Sequence, residues 1–388
     1  MTKFRFYLFY LYCFSIPFQM WNPFDLEIDF LITKVTTSLY ILASLTNIKG
    51  NFSIKFDKSI YWLISFFLLL TYMNYINQSV YTDRFLNIPL LLNILVLIIV
   101  VNQDLKNKDN LILRGSMFYI IGSIIITIMY YLGISSETNL EGRDTIFGMN
   151  QNSLGINLVA ANLFIVILIY YNRLRLNYIR FLYIIPFILI SVFIVGTASR
   201  VSFISLFLSL LVFFTLIRKS FIGKLFFAIN MLFISFLSYA LFFPNNYLFT
   251  RLSSFFSEGD VSSRDDIWLI GLNFIPQNPF FGFGETGYIT EYNFLPQEYS
   301  VPHNVLIEIL CYTGFVGLFL FLKFFIPILY KCLYALKKGD KSSIVLIIPI
   351  LGLIFSGQIF HLQIIWLILA YIIANHLKQL KTERLSKL

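Results

Sequence analysis

The residues whose type and spacing could do chemistry are few. His303 stands in the run Pro302-His303-Asn304-Val305, where a long polar stretch ends and an apolar one begins. Imidazole is the side chain best matched to proton abstraction near neutral pH, with an apparent pKa expected near 6–7. His361 and His376 lie in or beside apolar runs and read as structural. Glu308 follows about a turn beyond His303, on one helical face with Asn304. A carboxylate in an apolar helix needs a partner, and Arg200 is the candidate. Arg200 itself follows Gly196-Thr197-Ala198-Ser199, between two apolar runs. With Ser199 as helix cap and the next helix's amides directed outward, that place favours an anion. Arg264 sits at an expected helix start, where a cation opposes the helix dipole and so is not explained by helix stability. Arg251 is a third cation in the same stretch. Finally, Asn150-Gln151-Asn152-Ser153, with Asn157 seven residues after Asn150, lines amides along one face. Such amides suit either a hydroxyl-rich ligand or hydrogen bonding between helices.

Other patterns carry less. Gly282-Phe283-Gly284-Glu285-Thr286-Gly287 has the look of a phosphate loop, but no strand precedes it and no clear helix is expected to follow it. It reads as a tight turn against the membrane. Asp265 and Asp266 are adjacent, so their carboxylates diverge by about 100° on a helix, and no third oxygen ligand is evident. No metal and no cofactor is expected. Cys13, Cys311 and Cys332 are scattered, with neither a metal or redox pattern nor a disulfide framework. The net charge of +9 includes no basic block of the kind that binds nucleic acid.

The elements that must position these groups are membrane helices. The chain has 388 residues, 58% hydrophobic and 13% charged, against about 25% charged in a soluble domain. Cutting at polar and Pro/Gly punctuation predicts twelve spans, near 5–21, 31–48, 59–76, 85–102, 111–132, 151–171, 181–196, 199–217, 225–243, 303–322, 344–358 and 360–377. The first is expected to be a retained span, since no small-x-small cleavage site follows it. With the N-terminus cytoplasmic, only Lys34, Arg84, Arg143, Arg200, Arg251 and Arg264 of the 29 basic residues fall outside. The other 23 lie inside, as the positive-inside rule requires. Both termini are therefore expected in the cytoplasm. The chain reads as a single all-α integral membrane domain, 1–388, interrupted by one external loop at 244–302. A loop of that length in a compact fold is usually functional. Within it, Ser262 or Ser263 can cap a helix that Pro276 stops, with Ile267, Ile270, Gly271 and Phe274 on one face. This predicts an amphipathic helix on the outer membrane surface.

Taken in order, these pieces resemble the O-antigen ligase and polymerase superfamily. Its pattern is met by Ser199-Arg200, by Ser263-Arg264-Asp265-Asp266-Ile267-Trp268 and by Asn278-Pro279-Phe280-Phe281-Gly282-Phe283-Gly284. It continues with His303-Asn304, followed after nine residues by Gly314-Phe315-Val316-Gly317. The resemblance covers about residues 148–320. An Arg-x3-Leu element of some ligases is not met by Arg200 (Ile204) or Arg264 (Trp268). The resemblance implies a C-type glycosyltransferase fold in the bacterial inner membrane, acting on the periplasmic face without metal. It implies transfer of a whole glycan from undecaprenyl pyrophosphate to a hydroxyl of a glycan or lipid A-core acceptor. Arg200 and Arg264, with Arg251, would bind the pyrophosphate, and His303 would be the acceptor's base in an inverting reaction. Asn304, Glu308, Asn150 and Asn157 would support the site or touch the acceptor. A chain-length regulator is a further implied partner. The other readings are a twelve-span flippase or transporter of lipid-linked oligosaccharides, expected to show charge at mid-membrane or paired broken helices, and a protein O-oligosaccharyltransferase. The lack of an added soluble domain favours ligase or polymerase over the latter.

Overall fold

A computed structural model describes residues 2–22, 31–53, 57–77, 87–107, 110–138, 143–170, 183–217, 247–258, 264–293, 302–357 and 359–386. The expected span 225–243 and the caps Ser262 and Ser263 lie outside the described residues. The main helices are α1 (Thr2–Ser15), α2 (Ile32–Ser44), α3 (Ser59–Ile76), α4 (Asn87–Lys106), α5 (Leu111–Tyr131), α6 (Gln151–Tyr170) and α7 (Ile184–Gly196). They continue with α8 (Arg200–Ile217), α9 (Tyr247–Glu258), α10 (Arg264–Phe274), α11 (Gly284–Asn293), α12 (Val305–Lys337), α13 (Ser342–Ile354) and α14 (Gln363–Ser386). Strands β1 (Ser136–Thr138) and β2 (Asp144–Ile146) form an antiparallel hairpin, pairing Ser136 with Ile146 and Thr138 with Asp144.

Among the described residues, α3, α4, α5, α6, α8 and α12 are long and apolar enough to cross a membrane. The chain is an all-α membrane protein. The expected runs at 5–21, 31–48, 181–196, 344–358 and 360–377 also contain helix, as α1, α2, α7, α13 and α14. Two boundaries move. α4 runs on to Lys106, and the helix expected to end near 322 continues to Lys337. Its 33 residues would span about 50 Å, more than the roughly 30 Å of a hydrocarbon core.

The chain divides into two compact units. The first takes Met1–Ala43, Asp109–Asp260 and Leu336–Gly352. Its centre is α6, buried along nearly its whole length because Gly155, Ala160 and Ala161 let neighbours approach closely. A Cβ on Gly155 would lie 2.2 Å from Ser202 Oγ of α8. Polar side chains tie the remaining faces: the Tyr119 hydroxyl of α5 donates to the Asn157 carbonyl, and Asn162 Nδ2 donates to Ser191 Oγ of α7 at 2.9 Å. α1 packs on α5 where a Cβ on Gly115 would meet the Phe9 ring at 2.5 Å.

The second unit takes Ser44–Lys108, Val261–Ala335 and Leu353–Leu388. α4 and α14 lie side by side, joined by the ion pair Lys378–Asp104 at 2.7 Å. Phe66, Phe321 and Phe360 cluster at its centre, with Phe66 and Phe360 stacked at 5.6 Å. Toward the C-terminal end of α12, Lys331 and Asp57 pair at 2.9 Å with both side chains 8% exposed.

Candidate functional site

In the first unit, polar groups gather on the turn between α7 and α8. The Thr197 and Ala198 amides bond back to the Phe193 and Val195 carbonyls at 3.1 and 3.0 Å, and Ala198 then takes a left-handed φ of 47°. That ends α7 and reverses the chain. Ser199 restarts it as the expected cap: its Oγ accepts from the Ser202 amide at 3.3 Å and donates to Asn152 Oδ1 at 2.8 Å. Three arginines converge here. Arg251 of α9 donates to the Ala198 carbonyl at 3.1 Å, Arg200 donates to the Arg251 carbonyl at 3.1 Å, and Arg143 reaches the Thr197 carbonyl at 3.4 Å. One carboxylate, Asp144, stands beside them, accepting from the Tyr130 hydroxyl and from Thr138 Oγ1 at 2.9 Å.

Arg200 and Arg251, chosen from the sequence, are thus neighbours. Arg143 is the residue that sequence reasoning passed over. Its signal was present, since it is one of the few basic residues on the sparsely charged side, but the hairpin that brings it to Thr197 was not foreseen. Asn150 caps α6, its Oδ1 accepting from the Asn152 and Ser153 amides at 3.0 and 3.4 Å. Asn157 is buried against Tyr119 and donates to the Ser153 carbonyl at 3.1 Å. That bond lies within α6, and Asn157 Oδ1 also accepts from the Tyr119 hydroxyl of α5 at 3.4 Å.

In the second unit, His303 stands at the head of α12, half-buried, with a left-handed φ of 50°. Such a backbone is rare for a residue with a side chain. Anchors on either side hold it. Trp268 Nε1 of α10 donates to the Pro302 carbonyl at 2.9 Å, and Asn304 caps α12, its Oδ1 accepting from the Leu306 and Ile307 amides at 3.0 and 3.4 Å. Arg264, the first residue of α10, acts electrostatically on the imidazole. Burial first, and then the Arg264 charge, hold the His303 pKa below its ordinary value of 6.5. Both causes favour the neutral imidazole, the form that can accept a proton. Glu308 is buried, and its Oε2 has no hydrogen-bond partner among the described residues. Within this unit the charge of Glu285 acts on it.

α10 rests on α12 through its predicted face. Gly271 and Phe274 are buried, Cys311 Sγ donates to the Gly271 carbonyl at 3.3 Å, and Asp266 and Leu269 on the far side are exposed. After Pro276 the chain forms the turn Asn278–Gly284, which enters a break in α12. Gly314 there has φ 61° and ψ −163°. The break frees backbone groups, and the turn satisfies them. The Phe315 and Val316 amides donate to the Pro279 and Phe280 carbonyls at 2.8 and 3.1 Å, and the Phe283 amide donates to the Cys311 carbonyl at 2.8 Å. At the crossing, a Cβ on Gly314 would sit 2.3 Å from the Phe280 carbonyl carbon, and one on Gly282 would sit 2.6 Å from Cys311 O.

One expectation changes here. The glycine-rich piece is followed by a helix, α11, which starts at Gly284 itself. It is still no phosphate cradle, because the Gly282, Phe283 and Glu285 amides are already bonded to Asn278 O, Cys311 O and Asn74 Oδ1. Its glycines serve backbone-to-backbone contact.

Residues 185–322 match the protein-family model described as O-antigen ligase. The match runs from α7 into α12 and includes Arg200, Arg251, Arg264 and His303; Arg143 precedes it. No curated protein matches the chain.

Proposed function

Since residues 185–322 carry the domain of the O-antigen ligase superfamily, we propose that this protein transfers a glycan whole from undecaprenyl pyrophosphate to an acceptor hydroxyl during surface-polysaccharide assembly. The family supports lipid-linked glycan transfer in general terms. The observation that carries the specific reading is His303: half-buried, held on both flanks, with its pKa lowered by burial and by Arg264.

In this reading the acceptor oxygen attacks the anomeric carbon as its proton passes to the His303 imidazole. The bond from that carbon to the phosphate oxygen breaks on the opposite face, so the configuration inverts. Negative charge builds on the leaving lipid pyrophosphate. Guanidinium groups grip phosphate oxygens bidentately and favour the charge of the transition state. The resemblance implies that Arg264, Arg200 and Arg251 supply such groups. Arg143 joins Arg200 and Arg251 because it shares their turn. Asn304 and Asn150 act through the helix starts they cap, and Glu308 supports the head of α12. Binding the pyrophosphate with arginines makes the reaction metal-independent. We place the site on the periplasmic face of the inner membrane, with twelve spans and cytoplasmic termini, on the strength of the charge split between loops.

The test is transfer by purified protein in nanodiscs, given one undecaprenyl-pyrophosphate glycan and, in turn, lipid A-core, a second lipid-linked glycan and a serine-containing polypeptide. Product with the first acceptor defines a ligase, with the second a polymerase, with the third a protein O-oligosaccharyltransferase. His303→Ala should slow transfer by about 10² to 10⁴ while donor binding persists, and a chelator should change nothing. Full turnover in His303→Ala would defeat the reading, and loss with chelator would replace it by a metal-dependent one.

A further inference from the structure

At the loop end of the first unit, the β1–β2 hairpin carries a second feature that the arginines do not use. Phe147 follows β2 directly and has a left-handed φ of 57°. Its ring stacks on that of Trp21 at 5.2 Å and 21°, over Phe18, which lies 5.6 Å from Trp21 and 6.3 Å from Phe147. Phe18 is buried, whereas Trp21 and Phe147 are each half-exposed. The result is a stacked aromatic pair on a buried third ring, presented by a backbone that a non-glycine residue adopts only at a cost.

The same strand leads to the arginine turn. Arg143 directly precedes β2 and reaches the Thr197 carbonyl, Asp144 opens the strand at the Tyr130 hydroxyl, and Phe147 stands just past its other end. Phe147 lies four residues after Arg143, about 13 Å along an extended chain.

We propose that Trp21 and Phe147 form a platform for a pyranose ring of the glycan that the arginines hold by its pyrophosphate. One face of a pyranose is lined with C–H groups whose hydrogens are slightly positive, and these sit against the negative face of an aromatic ring. Hydroxyls around the ring edge remain in water, which suits half-exposed aromatics. The proposal rests on the glycan-transfer reading above and adds to it where the sugar portion lies. It assigns the platform to the donor, because Arg143 of the arginine turn directly precedes β2 and Phe147 directly follows it.

The experiment compares Trp21→Leu and Phe147→Leu with the parent protein in nanodiscs. Leucine keeps an apolar body for packing and removes the π face. The probes are undecaprenyl pyrophosphate bearing a repeat unit and bare undecaprenyl pyrophosphate, with acceptor KM measured separately. Each variant should weaken the sugar-bearing lipid by about tenfold and leave the bare lipid and the acceptor KM unchanged. Equal weakening of both lipids assigns the rings to packing and overturns the platform. A rise confined to acceptor KM overturns its assignment to the donor. If the parent binds neither lipid, the transfer reading itself fails. If it binds both equally, only the platform fails.

Discussion

Replacing Gly314 by alanine should be among the costliest single-methyl changes in the second unit. Its φ of 61° with ψ of −163° is a conformation essentially confined to glycine. Alanine there costs about 1–3 kcal/mol in backbone strain. The new methyl would also sit 2.3 Å from the Phe280 carbonyl carbon, so the turn must withdraw. Withdrawal endangers the three bonds that join Phe315, Val316 and Cys311 to the turn, each worth about 0.5–1.5 kcal/mol net. The total is roughly 3–7 kcal/mol. Gly339 provides the control, because it too is left-handed, at φ 85°, but has open space around its Cβ position. Gly339→Ala should cost only about 1–2 kcal/mol. Equilibrium unfolding in detergent micelles compares the two, and limited proteolysis within residues 278–284 reads the turn directly. Equal destabilisation of the two variants, with the turn still protected in Gly314→Ala, would refute the reasoning.

Removing the Arg264 charge should raise the His303 pKa, since that charge is one of the two causes that lower it. In Arg264→Gln, the acid limb of the residual rate–pH profile should therefore move upward. In Arg264→Lys it should stay in place while turnover falls by roughly tenfold or more through loss of the bidentate grip. Lys331→Met strands the buried Asp57 carboxylate and should destabilise by about 3–5 kcal/mol, with Lys331→Met/Asp57→Leu recovering most of the loss in denaturant titrations. For topology, a single cysteine replacing Glu291 should react with an impermeant thiol reagent from outside the cell, and one replacing Lys338 should not. The reverse labelling would overturn the orientation.

The helices were legible because their hydropathy runs are long and their ends are marked. Ser199 announces α8, and Pro276 follows the end of α10. The buried face of α10 was visible in the spacing of Gly271 and Phe274. What stayed hidden was contact between segments distant in sequence. The hairpin that brings in Arg143 has strands of only three residues, too short for alternation to register. The break in α12 lies inside an unbroken apolar run, and glycine is common in membrane helices, so Gly314 gave no warning. Nothing local in Asn278–Gly284 shows that its carbonyls are destined for amides more than thirty residues away. The same nonlocality hid the pairing of His303 with Trp268 and Arg264 through the Pro302 carbonyl and α10.

The broken helix also bears on depth. If the apolar stretch 303–322 crosses the bilayer, Gly314 falls about 16 Å along the helix axis from one end and about 12 Å from the other, near the middle of the hydrocarbon. Water is not at hand there, and non-helical backbone survives only when protein supplies its partners. The turn Asn278–Gly284 meets that demand, so a segment counted as part of an external loop must descend to meet the break. Its tip residues Phe280 and Phe281 are 65% and 50% exposed, a ruinous choice for a loop in water and a natural one for a loop immersed in lipid. On that condition the connection 244–302 is in part re-entrant, and the boundary between loop and membrane domain runs through its middle.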